Sequence, residues 1–506
     1  MRVTFVTCGL EHLGIEALAA WVRRAGHEPA LVYEARPFSS GSGTDSRLLA
    51  RLLEPSPEET AERVVATRPD VVAFTSYSVT HRWSVDVARA VKRRMQVPIV
   101  FGGPHVSPSP ERAIREWSID AVVEGEGEQA LVDLIECAEG GRFTRTDIAN
   151  CTFRSELGPI RNRVRPLLAD LDQLPWAEKD GFYATVPAFE HELYVVSRRG
   201  CPFRCSFCEY STFPKQYPGE KPVRRRSVPH LIAELKHWKA RGKVRKIFFW
   251  DAIFTLDPKW MAEFADAYRR EIGIPFECYT HPHTMTRDMA RWLAEAGCIM
   301  VRVGVQSVNS DTLAAVHRKG DREKVVQTLS QLTEFGVPYS VDHIIGLPGE
   351  GAADQLDALH FYAEVQPKRI VTHWMTYFPG TTALDDARQR GLLGDADIDR
   401  IMDGDVGPGY MFGGNSHTEF RDQAELMHLS GVFDLLPLLP RGATEWLLEQ
   451  RRYRHLRGVG LMRQLGTLAL AIRGEPATRE HVRHIMATTL SATRAALRRK
   501  LGVARA

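Results

Sequence analysis

Ser197-Arg198-Arg199-Gly200-Cys201-Pro202-Phe203-Arg204-Cys205-Ser206-Phe207-Cys208 is the stretch on which the reading of this chain turns. Three cysteines stand at i, i+4 and i+7, directly after a β-rich run, Leu193–Ser197. Structural zinc normally takes four ligands, often as two CxxC pairs, and no second pair is present. Three thiolates on one short loop can instead bind three irons of a four-iron cluster. The fourth iron then has no protein ligand and is open to a substrate. A zinc or redox trio is the competing reading of the same residues.

Downstream of the cysteines, β-rich runs alternate with helical patterns. Strands are predicted at Lys246–Trp250, Phe276–Tyr279, Met300–Val305, Tyr339–Ile345 and Arg369–Met375. Helices fall between them, at Val228–Arg241, Pro258–Glu271 and Arg322–Phe335. With Leu193–Ser197 these make a partial (β/α)6 barrel, whose chemistry belongs at the strands' C-terminal ends. Residues at or near those ends are Tyr279, His281, His283, Arg302, His343, His373 and Tyr377. His281 and His283 alternate by two, so both face inward if the strand continues.

Upstream, strands are predicted at Val3–Thr7, Ala30–Tyr33, Val71–Thr75, Ile99–Gly102 and Ala121–Glu124, with helical stretches such as Gly14–Ala25 and Ser84–Met95 between them. This alternation predicts a doubly wound, Rossmann-like parallel sheet, α/β in class, with a ligand beyond the strands' carboxyl ends. Thr75-Ser76-Tyr77-Ser78, Gly102-Gly103-Pro104-His105 and Glu124-Gly125-Glu126 end three of its strands, and their glycines let the backbone approach a ligand closely. A generic doubly wound fold with turn glycines is the alternative. Residues 141–189, punctuated by Pro166, Pro175 and Pro187, read as a linker and docking segment. The expected organisation is 1–140 for the Rossmann-like domain, 190–380 for the barrel and 381–506 for a basic helical region.

The spacing CxxxCxxC, with an aromatic residue before the last cysteine, resembles the signature of radical S-adenosylmethionine (SAM) enzymes. The likeness extends over about 193–375. Phe248-Phe249-Trp250-Asp251 resembles the family's second-strand stretch near the SAM methionine, although Ala252 stands where a second acid is common. Val303-Gly304-Val305-Gln306-Ser307 resembles the fourth-strand motif at the SAM ribose and carboxylate. Asp342-His343-Ile344-Ile345-Gly346-Leu347-Pro348-Gly349-Glu350 resembles the fifth-strand motif beside adenine. The resemblance implies a 4Fe-4S cluster on Cys201, Cys205 and Cys208. It implies SAM near Tyr210, Asp251, Gln306, Ser307 and Ile345, and a 5′-deoxyadenosyl radical that abstracts hydrogen from a small-molecule substrate. It further implies an electron donor such as flavodoxin or ferredoxin.

The N-terminal pattern resembles the cobalamin-binding domain that precedes many radical SAM domains. It implies cobalamin against Thr75, Ser76, Tyr77, Ser78, Gly102, Gly103, His105, Glu124, Gly125 and Glu126. Many cobalamin proteins carry DxHxxG after the first strand. Here the stretch is Leu10-Glu11-His12-Leu13-Gly14, so no histidine ligand on cobalt is expected and His12 reads as a loop or capping residue. Together the two domains resemble class B-type radical SAM methyltransferases. They imply methylation of an unactivated carbon, with cyclisation, rearrangement or oxidation as the alternative.

Composition bounds the rest. The chain has 506 residues and a net charge of +3, too small to imply a nucleic-acid partner. From Arg441 onward there are 14 Lys/Arg against 4 Asp/Glu. That surplus reads as a solvated helical face, or as a surface that meets an anionic partner. No apolar run of about 18 residues predicts a membrane span, and Met1–Val6 reads as a strand rather than a leader, so a cytoplasmic enzyme is expected. Cys8, Cys137, Cys151, Cys278 and Cys298 are scattered and read as buried apolar residues. The Gly-rich stretch Gly404–Asn415, with Tyr410, is a candidate lid or a plain surface loop.

Overall fold

β-branched and aromatic runs bounded by glycines give two parallel sheets in the computed structural model. It describes residues 1–455 except 37, 40–45 and 406–421, with scattered helical positions between 469 and 497. Tyr410 and most of the basic C-terminal region lie outside the described residues.

The first sheet comprises β1 (Arg2–Cys8), β2 (Glu28–Glu34), β3 (Val71–Thr75), β4 (Ile99–Gly102), β5 (Ala121–Val123), β6 (Cys151–Phe153) and β7 (Ile160–Arg161). Their order is β2-β1-β3-β4-β5-β6-β7, parallel through β5 and antiparallel beyond it. Strand order reverses between β1 and β3, so a crevice opens at their carboxyl ends. Residues 141–189 therefore do more than link: β6 and β7 extend the first sheet past residue 140. Alternate residues serve opposite faces. Val3, Phe5, Val71 and Ala73 join one core, and Val6, Val72, Phe74 and Phe101 the other.

The second sheet comprises β8 (Glu192–Val195), β9 (Lys246–Phe249), β10 (Phe276–Thr280), β11 (Cys298–Gln306), β12 (Tyr339–Ile345) and β13 (Arg369–Trp374). All six are parallel and in sequential order. Helices α1 (Val228–Ala240), α2 (Pro258–Glu271), α3 (Arg322–Glu334) and α4 (Ala352–Val365) cover its outer face. This is the partial barrel that the sequence predicts. Among the described residues, no helix is long and apolar enough to cross a membrane.

Lys179, fully buried, ties the 141–189 segment to the first domain. Its ammonium donates to Glu11 at 2.9 Å and to Glu16, both fully buried. Burial pushes the Glu16 carboxyl well above the usual carboxylate range, although Lys179 opposes that shift. Tyr33 of β2 meets Phe182 edge-on at 5.1 Å, continuing the apolar core from one sheet toward the other.

Candidate active site

The cysteine loop leaves the carboxyl end of β8 under tight control. The buried Asp251 carboxylate accepts hydrogen bonds from Ser197 N, Ser197 Oγ and Arg198 N, each at 2.8 Å. Its oxygens thereby hold the chain entering the loop. Burial nevertheless raises its carboxyl above the ordinary range, outweighing Arg198 and the donors. Gly200 has φ +87°, and a Cβ there would overlap the Pro222 carbonyl oxygen, so this turn requires glycine.

Cys205 is buried, and Cys201 and Cys208 are half-buried. Burial, aided by the neighbouring thiols, pushes Cys201 up to about 11 and Cys208 up to about 12. Among the described residues, no three His, Cys, Asp or Glu side chains converge on one metal ion. A single zinc would need its sulfurs drawn to about 2.3 Å from one centre. Three thiols on one short loop fit a polynuclear cluster, whose irons would hold them as thiolates.

Around the loop stand the ends of the barrel strands. The His281 ring stacks on Phe203 of the cysteine loop with centroids 4.0 Å apart. Its Nδ1 accepts from His283 N at 3.1 Å, and its buried Nε2 has no partner among the described residues. Burial and the Arg318 charge hold His281 neutral, down to about 2. Gln306 ends β11 at φ +70°. The Ser307 hydroxyl donates to Glu350, whose other oxygen accepts from Gln355 Nε2 at 2.9 Å. Burial pushes Glu350 up to about 7. Arg318, which no sequence motif marks, donates from Nη1 to Cys205 Sγ at 3.5 Å and from Nη2 to the Gly304 carbonyl.

Three further expectations change. His343 faces away from the cavity: its Nδ1 lies 3.1 Å from the Tyr362 hydroxyl, and its Nε2 accompanies Gln355 Oε1 at 2.8 Å. Its ring stacks on Phe433 at 4.7 Å. The period of two in β12 sends its neighbours Asp342 and Ile344 inward instead. Tyr377 is buried in a satellite core with Met375 and Leu384. The Ile345 side chain lies in the main core, so only its backbone can meet a ligand.

The barrel's inner face is polar and partly open. Tyr194, Tyr279, Arg302, Asp342 and His373 are partly accessible and Trp250 is exposed, while outward residues such as Leu193, Phe249 and Val303 are sealed. Lower down, Lys246 Nζ donates to Glu192 and to Glu277, each at 2.8 Å. Arg302 Nη2 donates to Glu277 at 3.0 Å, and its guanidinium lies 4.6 Å from the Phe248 ring centre.

The first sheet presents its own loops to this mouth. Leu10, Tyr77 and Val79 are exposed apolar side chains beyond β1 and β3. Ser76 Oγ lies 2.7 Å from His81 Nδ1. Burial holds His105 neutral, down to about 3, so its Nδ1 accepts from Ser78 Oγ at 2.8 Å while Nε2 donates to the Met402 carbonyl at 3.0 Å. Gly103, at φ +101°, comes so close to Ser76 that a Cβ would lie 2.9 Å from its carbonyl oxygen. His12 is a capping residue, accepting from Ile15 N at 3.3 Å, as expected. An apolar rim beside a glycine cradle and orphaned His12 Nε2 fits a large flat ligand with polar edges.

Two loop acids pair with arginines. Glu124 accepts from Arg161 at 2.8 Å and from Thr152 at 3.2 Å, bracing β5 against β6 and β7. Glu126 accepts from Arg224 at 2.8 Å and pairs with Arg199 at 3.1 Å, so it takes part in domain docking. Arg199 also pairs with Glu128. The Tyr217 hydroxyl accepts from Glu126 N at 2.7 Å.

A cysteine loop on a partial barrel, facing a doubly wound sheet's crevice, defines a two-domain enzyme of radical SAM type. Comparison with known proteins agrees. Residues 195–362 match the radical SAM superfamily and residues 7–135 match the B12-binding domain. The chain is 28% identical over 336 residues to an uncharacterized methyltransferase, PH0819, of Pyrococcus horikoshii, spanning 64% of this chain and 71% of that one. It is 24% identical over 397 residues to the anaerobic magnesium-protoporphyrin IX monomethyl ester cyclase of Rubrivivax gelatinosus, spanning 75% and 68%. In fold it is similar to the cobalamin-dependent SAM radical enzyme OxsB with aqua-cobalamin and SAM bound, at a TM-score of 0.66 and 13% identity, over 100% of this chain and 81% of that one. The chain thus carries both a radical SAM domain and a B12-binding domain. Its cofactors are accordingly a 4Fe-4S cluster, SAM and cobalamin.

Proposed function

We propose that this protein transfers a methyl group to a carbon of a small molecule. The observation that carries this reading is the ion-pair bridge from Arg199, two residues before Cys201, to Glu126 and Glu128 beyond β5. It sets the loop of the radical domain beside the loops of the B12-binding domain, so both cofactors can address one substrate. The methyltransferase relative supports the same reading.

In this proposal Cys201, Cys205 and Cys208 hold the cluster. The cluster supplies one-electron reduction of SAM, and cobalamin supplies a transferable methyl group. Gln306, Ser307, Tyr210 and the Ile345 backbone orient SAM. Thr75, Tyr77, Gly102, Gly103 and Gly125 cradle the corrin, with Ser76, Ser78 and His105 holding that cradle in shape. The barrel's inner face positions the substrate and excludes water.

The reduced, cobalamin-loaded protein is expected to convert SAM to both 5′-deoxyadenosine and S-adenosylhomocysteine in the presence of substrate, and to show a corrinoid spectrum. Cyclisation, which the 24%-identical cyclase supports, would give 5′-deoxyadenosine without S-adenosylhomocysteine. Absence of both products with every reductant would refute each reading.

A further inference from the structure

Asp342 stands apart from the other charged groups on the barrel's inner face. Those below it are satisfied: Lys246 serves Glu192 and Glu277, and Arg302 serves Glu277, with its Nη1 3.4 Å from the Tyr279 hydroxyl. The Asp342 carboxyl accepts no hydrogen bond among the described residues; burial raises it above the usual carboxylate range, against the charges of His373, Arg302, Arg369 and Arg318. It is enclosed by the barrel yet partly accessible. Its oxygens are open to the barrel interior, where a donor from outside the protein can reach them.

A flat surface lies across the same cavity. Trp250, at the carboxyl end of β9, is 42% exposed, although it belongs to the barrel's interior. Its ring stands 5.3 Å from Tyr194 and 5.9 Å from Tyr279, forming an aromatic wall. The β-sheet register places Tyr279 level with Arg302 and Gly304 level with Asp342. The wall and the carboxylate therefore address one space.

We infer that this cavity is the substrate seat of the proposed methyltransferase, taking a substrate with an apolar or aromatic body against Trp250 and a hydrogen-bond-donating amine or hydroxyl on Asp342. The inference rests on the proposed function, because it names what that enzyme's barrel holds. It assigns no chemistry to Asp342, which acts by binding and orienting.

The test uses the reconstituted holoenzyme and three probes of similar size: 2-phenylethylamine, 2-phenylethanol and phenylacetate, titrated by calorimetry. The amine and the alcohol are expected to bind at least about tenfold more tightly than the carboxylate, the scale of one charge-assisted hydrogen bond. Asp342→Asn should bring amine and carboxylate to within about twofold of each other, and Trp250→Ala should weaken both donor probes. Equal affinity for amine and carboxylate in the wild type, or an unchanged ranking in D342N, would overturn the assignment. If D342N does not fold, the wild-type ranking still decides. Formation of 5′-deoxyadenosine from SAM is followed on the same samples. Its absence with the probe ranking intact would count against the proposed function and not against the seat.

Discussion

The two sheets are built from similar β-branched strands but treat their faces differently. In the first sheet both faces are sealed, with Val3 and Phe5 in one core and Val72 and Phe74 in the other. In the barrel only the outer face is sealed, and the inner one carries Glu192, Lys246, Glu277, Arg302 and Asp342. The first sheet can therefore act only at its strand ends, as a platform for a cofactor. The barrel can act on the upper part of its inner wall, where Trp250, Tyr279 and Asp342 are accessible, while Glu192, Lys246 and Glu277 lie buried below. The difference also separates two kinds of acid: Glu124 and Asp251 are spent holding backbone and strands in place, whereas Asp342 accepts no hydrogen bond among the described residues.

That contrast can be broken at several points. The largest effect is expected on the cysteine loop: Cys201→Ala, Cys205→Ala or Cys208→Ala should each abolish the iron–sulfur absorbance and SAM cleavage while the protein still folds. Next is the buried ion pair of the 141–189 segment. Lys179→Met removes the cation from two buried acids and should destabilise the protein by about 3–5 kcal/mol in denaturant melts. Phe74→Ala, in the doubly sealed sheet and stacked on Phe101 at 4.8 Å, should cost about 3–4 kcal/mol. Asp251→Ala removes the acceptor of three hydrogen bonds and should cost about 2–3 kcal/mol. Its distinguishing sign is poor retention of the cluster on gel filtration.

The smallest effect is a pH dependence. Glu350 ionises near 7 in the folded protein, against an ordinary value of 4.5. Between those values the folded state holds a proton that the unfolded state has lost, so this group's contribution to stability falls as pH rises. Melts of Glu350→Gln against wild type from pH 4.5 to 7 should show a flatter profile in the variant. A parallel profile would remove Glu350 from the account.

Most strands were legible because each is a short run of Val, Ile, Phe and Tyr ended by glycine or a polar turn. Val71–Thr75, Ile99–Gly102 and Tyr339–Ile345 match residue for residue. β6 and β7 were not, since strands of three and two residues carry no period and exist only by pairing beside β5. The three cysteines were legible because their chemistry lies in local spacing. His343 was misjudged because a motif gives a strand's place but not which of its two faces looks inward, and here Asp342 takes that face. Arg318 reaches Cys205 from 113 positions away, and no local pattern announces it.

The sequence by itself determined the order of strands, the two-domain plan and the loop of Cys201, Cys205 and Cys208, because periodicity and ligand spacing are properties of neighbouring residues. Only the tertiary structure decided which acids are braces and which is open, because that depends on donors brought from distant strands. Asp251 is satisfied by the chain 54 residues before it, while Asp342, on an equally regular strand, faces a cavity.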